Sequence, residues 1–230
     1  MRTAEVDTVT ASTPSGPPAP RLRADAARNR AQILAAARAA FRESGTAVPL
    51  DEIARRAGVN IATLYRRFPD RDALIAQVVV DGLSLVLDTA RTAAETARTD
   101  PLSAVGSFLQ GMIDNRELLS LPLIGGPMTN DPHARDLQQH IAATLEGILA
   151  AGRSRKVIRR DITAVDLIAT AALICRPLPL LPPAQAATLA TRHLCVFLDG
   201  LRPDHTRDLP SPPTHEEMTA HLVAEDTTAR

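Results

Sequence analysis

The sequence predicts an all-α fold, and three observations support that prediction. Aromatic residues make up only 2% of the chain. Alternating runs of β-branched residues, which are typical of strands, are missing. Alanine and leucine instead recur at spacings of three and four residues, the period of a helix with one buried face. We predict a three-helix N-terminal domain followed by a larger helical domain.

Length and composition limit the class of protein further. The chain has 230 residues, of which 45% are apolar, enough to build a buried core. Two cysteines exclude a disulfide scaffold and suit a reducing compartment, so we expect a cytoplasmic protein. No apolar stretch reaches the roughly 18–20 residues of a membrane helix, the longest candidate being 165–175. We therefore expect no membrane partner.

The two ends of the chain differ from its middle. Residues 1–20 are rich in Pro, Ser, Thr and Ala and lack an apolar core, which predicts a disordered arm rather than a signal peptide. Proline and charge return over 202–230, with only a weak helical pattern, which predicts a mobile tail. The domains are then expected at 21–70 and 71–201.

The first predicted helix covers 27–43 and ends at Gly45, a residue that readily adopts the left-handed conformation of a helix C-terminus. A short second helix covers 50–57, with Asp51 and Glu52 placed favourably at its N-terminus. Gly58 follows it and permits a tight turn. Two helices and a turn are thus expected before residue 60.

The third predicted helix covers 61–68, and Asn60 is expected to cap it. Leu64 and Phe68 lie one turn apart on its inner face, and Pro69 ends it. The second and third helices, joined by a three-residue turn, form a predicted helix-turn-helix.

Five longer helices follow, each with a start signal of its own. Asp70 caps a helix that connects the two domains, and an Asp-Pro pair opens each of the next two helices. Thr163 and Asp166 form a capping box, and Pro183 opens the last helix. The predicted ranges are 71–98, 100–119, 131–151, 163–175 and 183–201, with an irregular segment at 121–132.

The charge is distributed unevenly along the chain, although 26 basic residues balance 26 acidic ones. Residues 21–71 contain eleven arginines and five acidic residues, a net charge of +6, so the remainder carries −6. This pattern favours a head that binds a polyanion, joined to a separate body. A solvated helix surface is the alternative explanation of the same charges.

The helix-turn-helix resembles a known family. The segment LDEIARRAGVNIATLYRRFPDRDALI at 50–75 is similar to the DNA-binding signature of the TetR family of transcriptional regulators, and RAQILAAARAAFRESG at 30–45 is similar to that family's first helix. The sequence departs from the family pattern at Pro49, Arg67 and Arg71. The resemblance implies a homodimer whose N-terminal domains bind a palindromic operator in double-stranded DNA. It further implies a C-terminal body that dimerises and binds a small-molecule inducer.

The exposed face of the third helix supplies the candidate DNA contacts. The resemblance implies that four positions lie near base edges: Ile61, Ala62, Thr63 and Arg66. It implies that Tyr65, Arg67 and Arg71 hold phosphates. Arg66 has the chemistry for a bidentate contact to guanine, and Ile61 or Ala62 for packing on a thymine methyl group. The alternatives are a half-buried packing role for Tyr65 and a solvated Arg66.

Arg21 and Arg23 lie just before the first predicted helix. An arm at this position could reach the minor groove or the phosphate backbone. The alternative is a basic arm that contacts nothing specific.

The body carries two further sets of candidates. The last two helices are apolar on more than one face, which predicts a two-fold dimer interface through Ile168, Ala172, Leu194, Phe197 and Leu198. A ligand cavity among the middle helices is predicted from Leu87, Phe108, Met112, Leu123, Met128 and His140, although such residues also build plain cores. Cys175 and Cys195 are interpreted as small buried packing residues.

No enzyme motif is present, since the sequence has no Gly-rich phosphate loop, HExxH pattern or nucleophile elbow. We therefore predict no catalytic residues, no metal site and no cofactor. The expected function is a ligand-responsive regulator, a repressor that its inducer releases from DNA. The alternatives are a DNA-bound scaffold that recruits a protein partner without an inducer, and a dimerisation module whose helix-turn-helix does not touch DNA.

Overall fold

The structure is a computed structural model that describes residues 20–119, 131–178, 180–204 and 207–213, with side chains from residue 24 onward. These residues form helices and no strands, which confirms the all-α prediction. Leu123, Met128 and most of the segment 121–132 lie outside the described residues, as do the arm at 1–19 and the end of the tail. The helices are α1 Pro20–Ser44, α2 Leu50–Arg56, α3 Ile61–Arg67, α4 Arg71–Ala97, α5 Pro101–Asp114, α6 Pro132–Ser154, α7 Ala164–Ile174 and α8 Pro183–Gly200.

The N-terminal domain packs α1, α2 and α3 around one small core. Ile33 of α1, Ile53 of α2 and Leu64 of α3 are fully buried, and Phe41 and Phe68 lie beside them in the same core. Apolar side chains from three short helices thus share one interior, which none of the helices could form alone.

Helix α1 begins at Pro20, seven residues earlier than the sequence predicted. Arg21 and Arg23 therefore lie in its first turn, and their placement in an arm before the helix is corrected. Proline is tolerated at a helix start, and the alanines at 24, 26 and 27 favour helix. No residue between 20 and 27 therefore prevents the helix from beginning at Pro20.

Helix α4 connects the domains and is the longest helix described. Asp70 caps it by accepting from the backbone N–H of Ala73 at 2.7 Å, as predicted. By length and composition α4 could cross a membrane, so the longest apolar candidate is α4 rather than 165–175. Its apolar residues pack against α1, α5 and α6, as expected of the core helix of a globular domain.

The body packs α4 to α8 around a second core. The predicted caps at Asp100 and Asp131, and the capping box of Thr163 and Asp166, are all formed. Helix α5 ends at Asp114, not at 119. The side-chain amide of Asn115 donates to the carbonyl of Gly111 at 2.9 Å at this C-terminus, and a turn follows. Helix α6 continues three residues past the predicted end at 151.

The described residues of the predicted tail have no regular secondary structure. One of them is nevertheless attached to the body. The guanidinium of Arg159 donates to the carbonyl of Arg207 at 2.7 Å, and the same guanidinium pairs with Asp161. That pairing holds the pKa of the Asp161 carboxyl below its usual range.

Candidate nucleic-acid interface

The turn between α2 and α3 sets the angle of the helix-turn-helix. Gly58 has a φ of 67°, a left-handed conformation that residues with a side chain rarely adopt. The backbone N–H of Val59 donates to Ala54 at 3.1 Å, and the Val59 side chain packs against the core between the helices. Asn60 then accepts from the backbone N–H of Ala62 at 2.8 Å, which starts α3 as predicted.

The two faces of α3 differ sharply in exposure. Leu64 is completely buried and anchors the helix on the domain core, together with Phe68 just beyond its end. Away from this anchor, Tyr65 is 50% exposed and Ile61 is 37% exposed. Ala62, Arg66 and Arg67 are also exposed, whereas Thr63 is half-buried. This arrangement leaves the outer surface of one short helix free to enter a major groove.

The arginines of α2 are neutralised by neighbouring carboxylates. Arg55 donates to Glu52 through two bonds of 2.9 and 2.7 Å. Arg56 donates to Glu52 at 2.8 Å and to Glu43 of α1 at 2.6 Å. The hydrogen bonds from Arg56 and then Arg55 hold the pKa of the Glu52 carboxyl below its usual range. The basic charge of α2 is therefore largely compensated within the domain.

The arginines of α3 have no such partners. Arg66 donates to the hydroxyl of Thr63 at 2.9 Å, a neutral acceptor that leaves its charge uncompensated. In the part of the chain that the structure describes, neither Arg66 nor Arg67 forms an ion pair. The exposed positive charge of the helix-turn-helix is thus concentrated on its third helix, where a polyanion would be bound.

Arg71 is half-buried and makes hydrogen bonds within the protein. It lies at the first residue of α4 and donates through Nη1 to the carbonyls of Thr46, at 2.6 Å, and of Val48. Arg71 thereby ties the start of α4 to the loop between α1 and α2. This loop needs support because Pro49 provides no side-chain cap for α2, as its sequence suggested. The phosphate contact of Arg71 stays a prediction.

A cleft of about 440 Å³ separates the first part of α1 from α3, and one of the residues that line it was not predicted from the sequence. Asn29 lines this cleft together with Thr63, Arg66 and Arg67. The helical period could have indicated this position, because Asn29 lies one turn before the buried Ile33 on α1 and so lies on the side of α1 that faces α3. An asparagine here has the donor and acceptor pair that reads adenine.

Of the six residues predicted to line a ligand cavity, the structure describes four, Leu123 and Met128 lying outside the described residues. Phe108 and Met112 are 1% and 0% exposed, and Leu87 is buried beside them, so these three side chains face packed neighbours rather than a cavity. His140 is exposed on α6, and its Nδ1 lies 2.8 Å from the carbonyl of Asp136. Its placement in an enclosed cavity is corrected, since the helix turns it toward solvent.

The predicted dimer residues divide into core and surface. Leu194 is 4% exposed and belongs to the core of the body, so its placement between subunits is corrected. Ile168, Phe197 and Leu198 pack partly against the core, and Ala172 is half-buried. The apolar side chains that face outward on α7 and α8 are Leu173 and Val196, 72% and 71% exposed. Periodicity identified two helices with outward apolar side chains but not which positions face outward, and the dimer interface stays a prediction.

The two cysteines have different surroundings. Cys175 is buried as predicted, and burial raises the pKa of its thiol to about 11. Cys195 is exposed, so its predicted burial is wrong, because it lies beside Val196 on the outer face of α8. Among the described residues, no group of three metal-ligating side chains comes together.

Comparison with known proteins finds one matching family and several similar solved structures. The family of bacterial regulatory proteins called the tetR family matches residues 33–78, which include α2 and α3. A TetR transcription regulatory protein from Mycobacterium vanbaalenii is 34% identical, with 79% of this chain and 99% of that chain covered and a TM-score of 0.52. A TetR transcriptional regulator from Streptomyces coelicolor is 31% identical, with 76% and 99% covered and a TM-score of 0.52.

A third solved structure shares the fold at lower identity. It is AibR in complex with isovaleryl coenzyme A and operator DNA, which is 16% identical, with 76% of this chain and 98% of that chain covered and a TM-score of 0.59. The search of curated proteins gave no match.

Proposed function

The chain belongs to the tetR family of bacterial regulatory proteins, and we propose that it is a cytoplasmic regulator that recognises a specific operator through α3. The observation that supports this best is the outer face of α3. It exposes two arginines without carboxylate partners beside Ile61 and Ala62, while the arginines of α2 are paired. Arg66 then reads a base edge, and Tyr65 and Arg67 fix the register on phosphates.

The proposal requires two copies of the chain, because one α3 reads only one half-site. The outward Leu173 and Val196 supply apolar surface for a two-fold contact between bodies. Two α3 helices related by a two-fold axis would read an inverted repeat, with half-sites about 34–36 Å apart along one face of the duplex.

We expect the protein to act as a repressor that a small molecule releases from DNA. Helix α4 is the element that would transmit the signal, since it packs against α1 of the DNA-binding domain and against α5 and α6 of the body. A ligand that binds more tightly to a conformation in which the two α3 helices have another separation would favour that conformation. It would weaken operator binding by the ratio of its affinities for the two conformations. AibR shows that this fold accommodates both a small molecule and operator DNA.

A second candidate function is a DNA-bound scaffold that recruits a protein partner and has no inducer. The burial of Leu87, Phe108 and Met112 favours it, because these three of the predicted cavity residues are packed in the core of the described part of the body. The scaffold would bind the same operator, but no small molecule would release it.

Selection of bound duplexes from a random pool tests the proposal. The full chain is used at two salt concentrations, with Arg55→Ala as the control, since Glu52 already compensates Arg55. We expect an inverted repeat that both proteins select. Recovery of unrelated sequences whose binding disappears at the higher salt concentration would show a general phosphate clamp and would contradict the proposal.

A further inference from the structure

A second cleft lies where the DNA-binding domain meets the body, away from the α3 surface. It encloses about 390 Å³ between the end of α1, the turn after α5 and the junction of α7 with α8. Arg42 contributes from α1, Arg116 from the turn, and Arg176 from the α7–α8 junction. The volume lies within the range of small-molecule sites, roughly 300–1,000 Å³.

The charge of this cleft is positive and only partly compensated. Its three arginines face one carboxylate, that of Glu117, which lies 3.8 Å from Arg42. Within the described ranges, Arg116 makes only a long bond of 3.4 Å to the carbonyl of Ile113. Arg176 forms no side-chain hydrogen bond or ion pair with the described residues. Two guanidinium groups are therefore available for an anion.

The rest of the cleft is mainly apolar. Leucines of the α7–α8 junction and of α8 line it, including Leu178, Leu181 and Leu189. Leu178 and Leu181 are about two fifths exposed. Contact with a hydrocarbon chain would remove this apolar surface from water, which would stabilise the complex.

We propose that this cleft binds a small amphipathic anion, with its carboxylate or phosphate head at Arg116 and Arg176 and its apolar tail along the leucines. Guanidinium forks match both kinds of head through paired hydrogen bonds. The leucines distinguish such a ligand from a free inorganic anion, which would leave their apolar surface exposed.

The position of the cleft links this ligand to regulation, and this part of the inference rests on the proposed function. Arg42 belongs to α1, whereas the other arginines belong to the body. A head held at Arg116 and Arg176 lies in the cleft that Arg42 also lines, so its negative charge competes with Glu117 for Arg42 and acts on the junction between the domains. By linkage, the ligand and the operator then change each other's affinity by the same factor.

The test measures binding to the full chain without DNA, by calorimetry and by the shift in Tm. The probes are dodecanoate, dodecyl phosphate and dodecanol, each below the concentration at which it aggregates. We expect both anions to bind and to raise Tm, and dodecanol to bind at least roughly tenfold more weakly. Inorganic phosphate is expected not to bind. Binding that is equal for the alcohol and the anions, or absent for both anions, overturns the proposal.

Variants locate the site. Arg176→Gln and Arg116→Gln should each weaken dodecanoate binding roughly tenfold, whereas Arg192→Gln, on the exposed surface of α8 outside the cleft, should not. Melting of each variant without ligand checks its folding. A change in sedimentation mass with Arg176→Gln would show that a second copy occupies the cleft and would overturn the proposal. Operator selection by the same proteins is a separate readout, so either proposal can fail without the other.

Discussion

The guanidinium of Arg38 in α1 donates to the carboxylate of Asp81 in α4 at 2.8 Å, across the junction between the two domains. The second carboxylate oxygen of Asp81 accepts from Gln77 at 2.7 Å, so both of its oxygens are engaged. Both side chains of the ion pair are about one quarter exposed or less. This pair joins the DNA-binding domain to the helix that we propose transmits the ligand signal.

Removal of this junction carboxylate should destabilise the protein. Asp81→Ala leaves the part-buried Arg38 without its acceptor, so we expect the free energy of unfolding to fall by about 1–3 kcal/mol. Asp88→Ala is the matched control, because Asp88 is an exposed residue of the same helix whose pair with Arg91 is 3.9 Å long. Its effect should stay within about 0.5 kcal/mol. Equal losses in urea unfolding would show that the Arg38–Asp81 pair has no special role.

The phosphate contact proposed for Arg67 makes a prediction about salt. Arg67→Gln should weaken binding to all DNA sequences alike and reduce the slope of log K against log salt concentration by about 0.9 per contact, hence about 1.8 for a dimer. Arg55→Gln removes the same formal charge from a residue already paired with Glu52 and should change the slope less. Anisotropy titrations over a series of salt concentrations measure both slopes. An unchanged slope for Arg67→Gln would remove this residue from the interface.

Two glycines of α6 should respond oppositely to the same substitution. A Cβ on Gly152 would lie 2.6 Å from Cγ1 and 3.0 Å from Cβ of Ile158, whereas a Cβ on Gly147 meets nothing within 4 Å. Gly152→Ala should therefore cost about 1–3 kcal/mol through overpacking. Gly147→Ala should stabilise the helix by about 0.5–1 kcal/mol, because alanine loses less backbone entropy there. Urea unfolding measures the free energy of unfolding of both variants. A Gly152→Ala protein as stable as the wild type would contradict the close packing of Ile158 against Gly152.

The buried thiol of Cys175 should be unreactive at neutral pH. Burial favours the uncharged thiol and raises its pKa from 9.0 to about 11, so the associated stability is present below pH 9 and is lost as the pH rises through 11. In a Cys195→Ser variant, alkylation at pH 8 should be at least roughly a hundredfold slower than for a free cysteine. The rate should recover in denaturant. Rapid alkylation of the folded variant would place Cys175 in contact with solvent.

Local chemistry predicted the helix-turn-helix well. The left-handed Gly58 and the cap of Asn60 on α3 are present because each depends on residues within about one helical turn, and Leu64 and Phe68 are buried as their spacing on one face predicted. The start of α1 was placed too late, since the sequence between Pro20 and residue 27 contains no signal that stops a helix. Helix ends without a strong cap are therefore the weak point of such predictions.

Tertiary contacts could not be predicted from one sequence in the same way. Periodicity showed that α7 and α8 are rich in apolar residues, but the neighbouring helix decides that Leu194 is buried while Val196 is exposed. The sequence itself places Glu52 three and four residues before Arg55 and Arg56 on α2 and gives α3 no acidic residue. Only the fold places Glu43 of α1 against Arg56, thirteen residues away, and leaves Arg66 without a carboxylate.

The most direct test of base recognition by α3 is a comparison of wild type and Arg66→Ala on the selected operator and on duplexes changed at one symmetric base pair. If Arg66 reads a base edge, the wild-type protein should discriminate against the changed pair by about 1–3 kcal/mol per half-site, and Arg66→Ala should lose that discrimination at that pair alone. If Arg66→Ala weakens binding to every duplex equally and keeps the same preference, α3 does not read the operator through Arg66, and the central claim is contradicted.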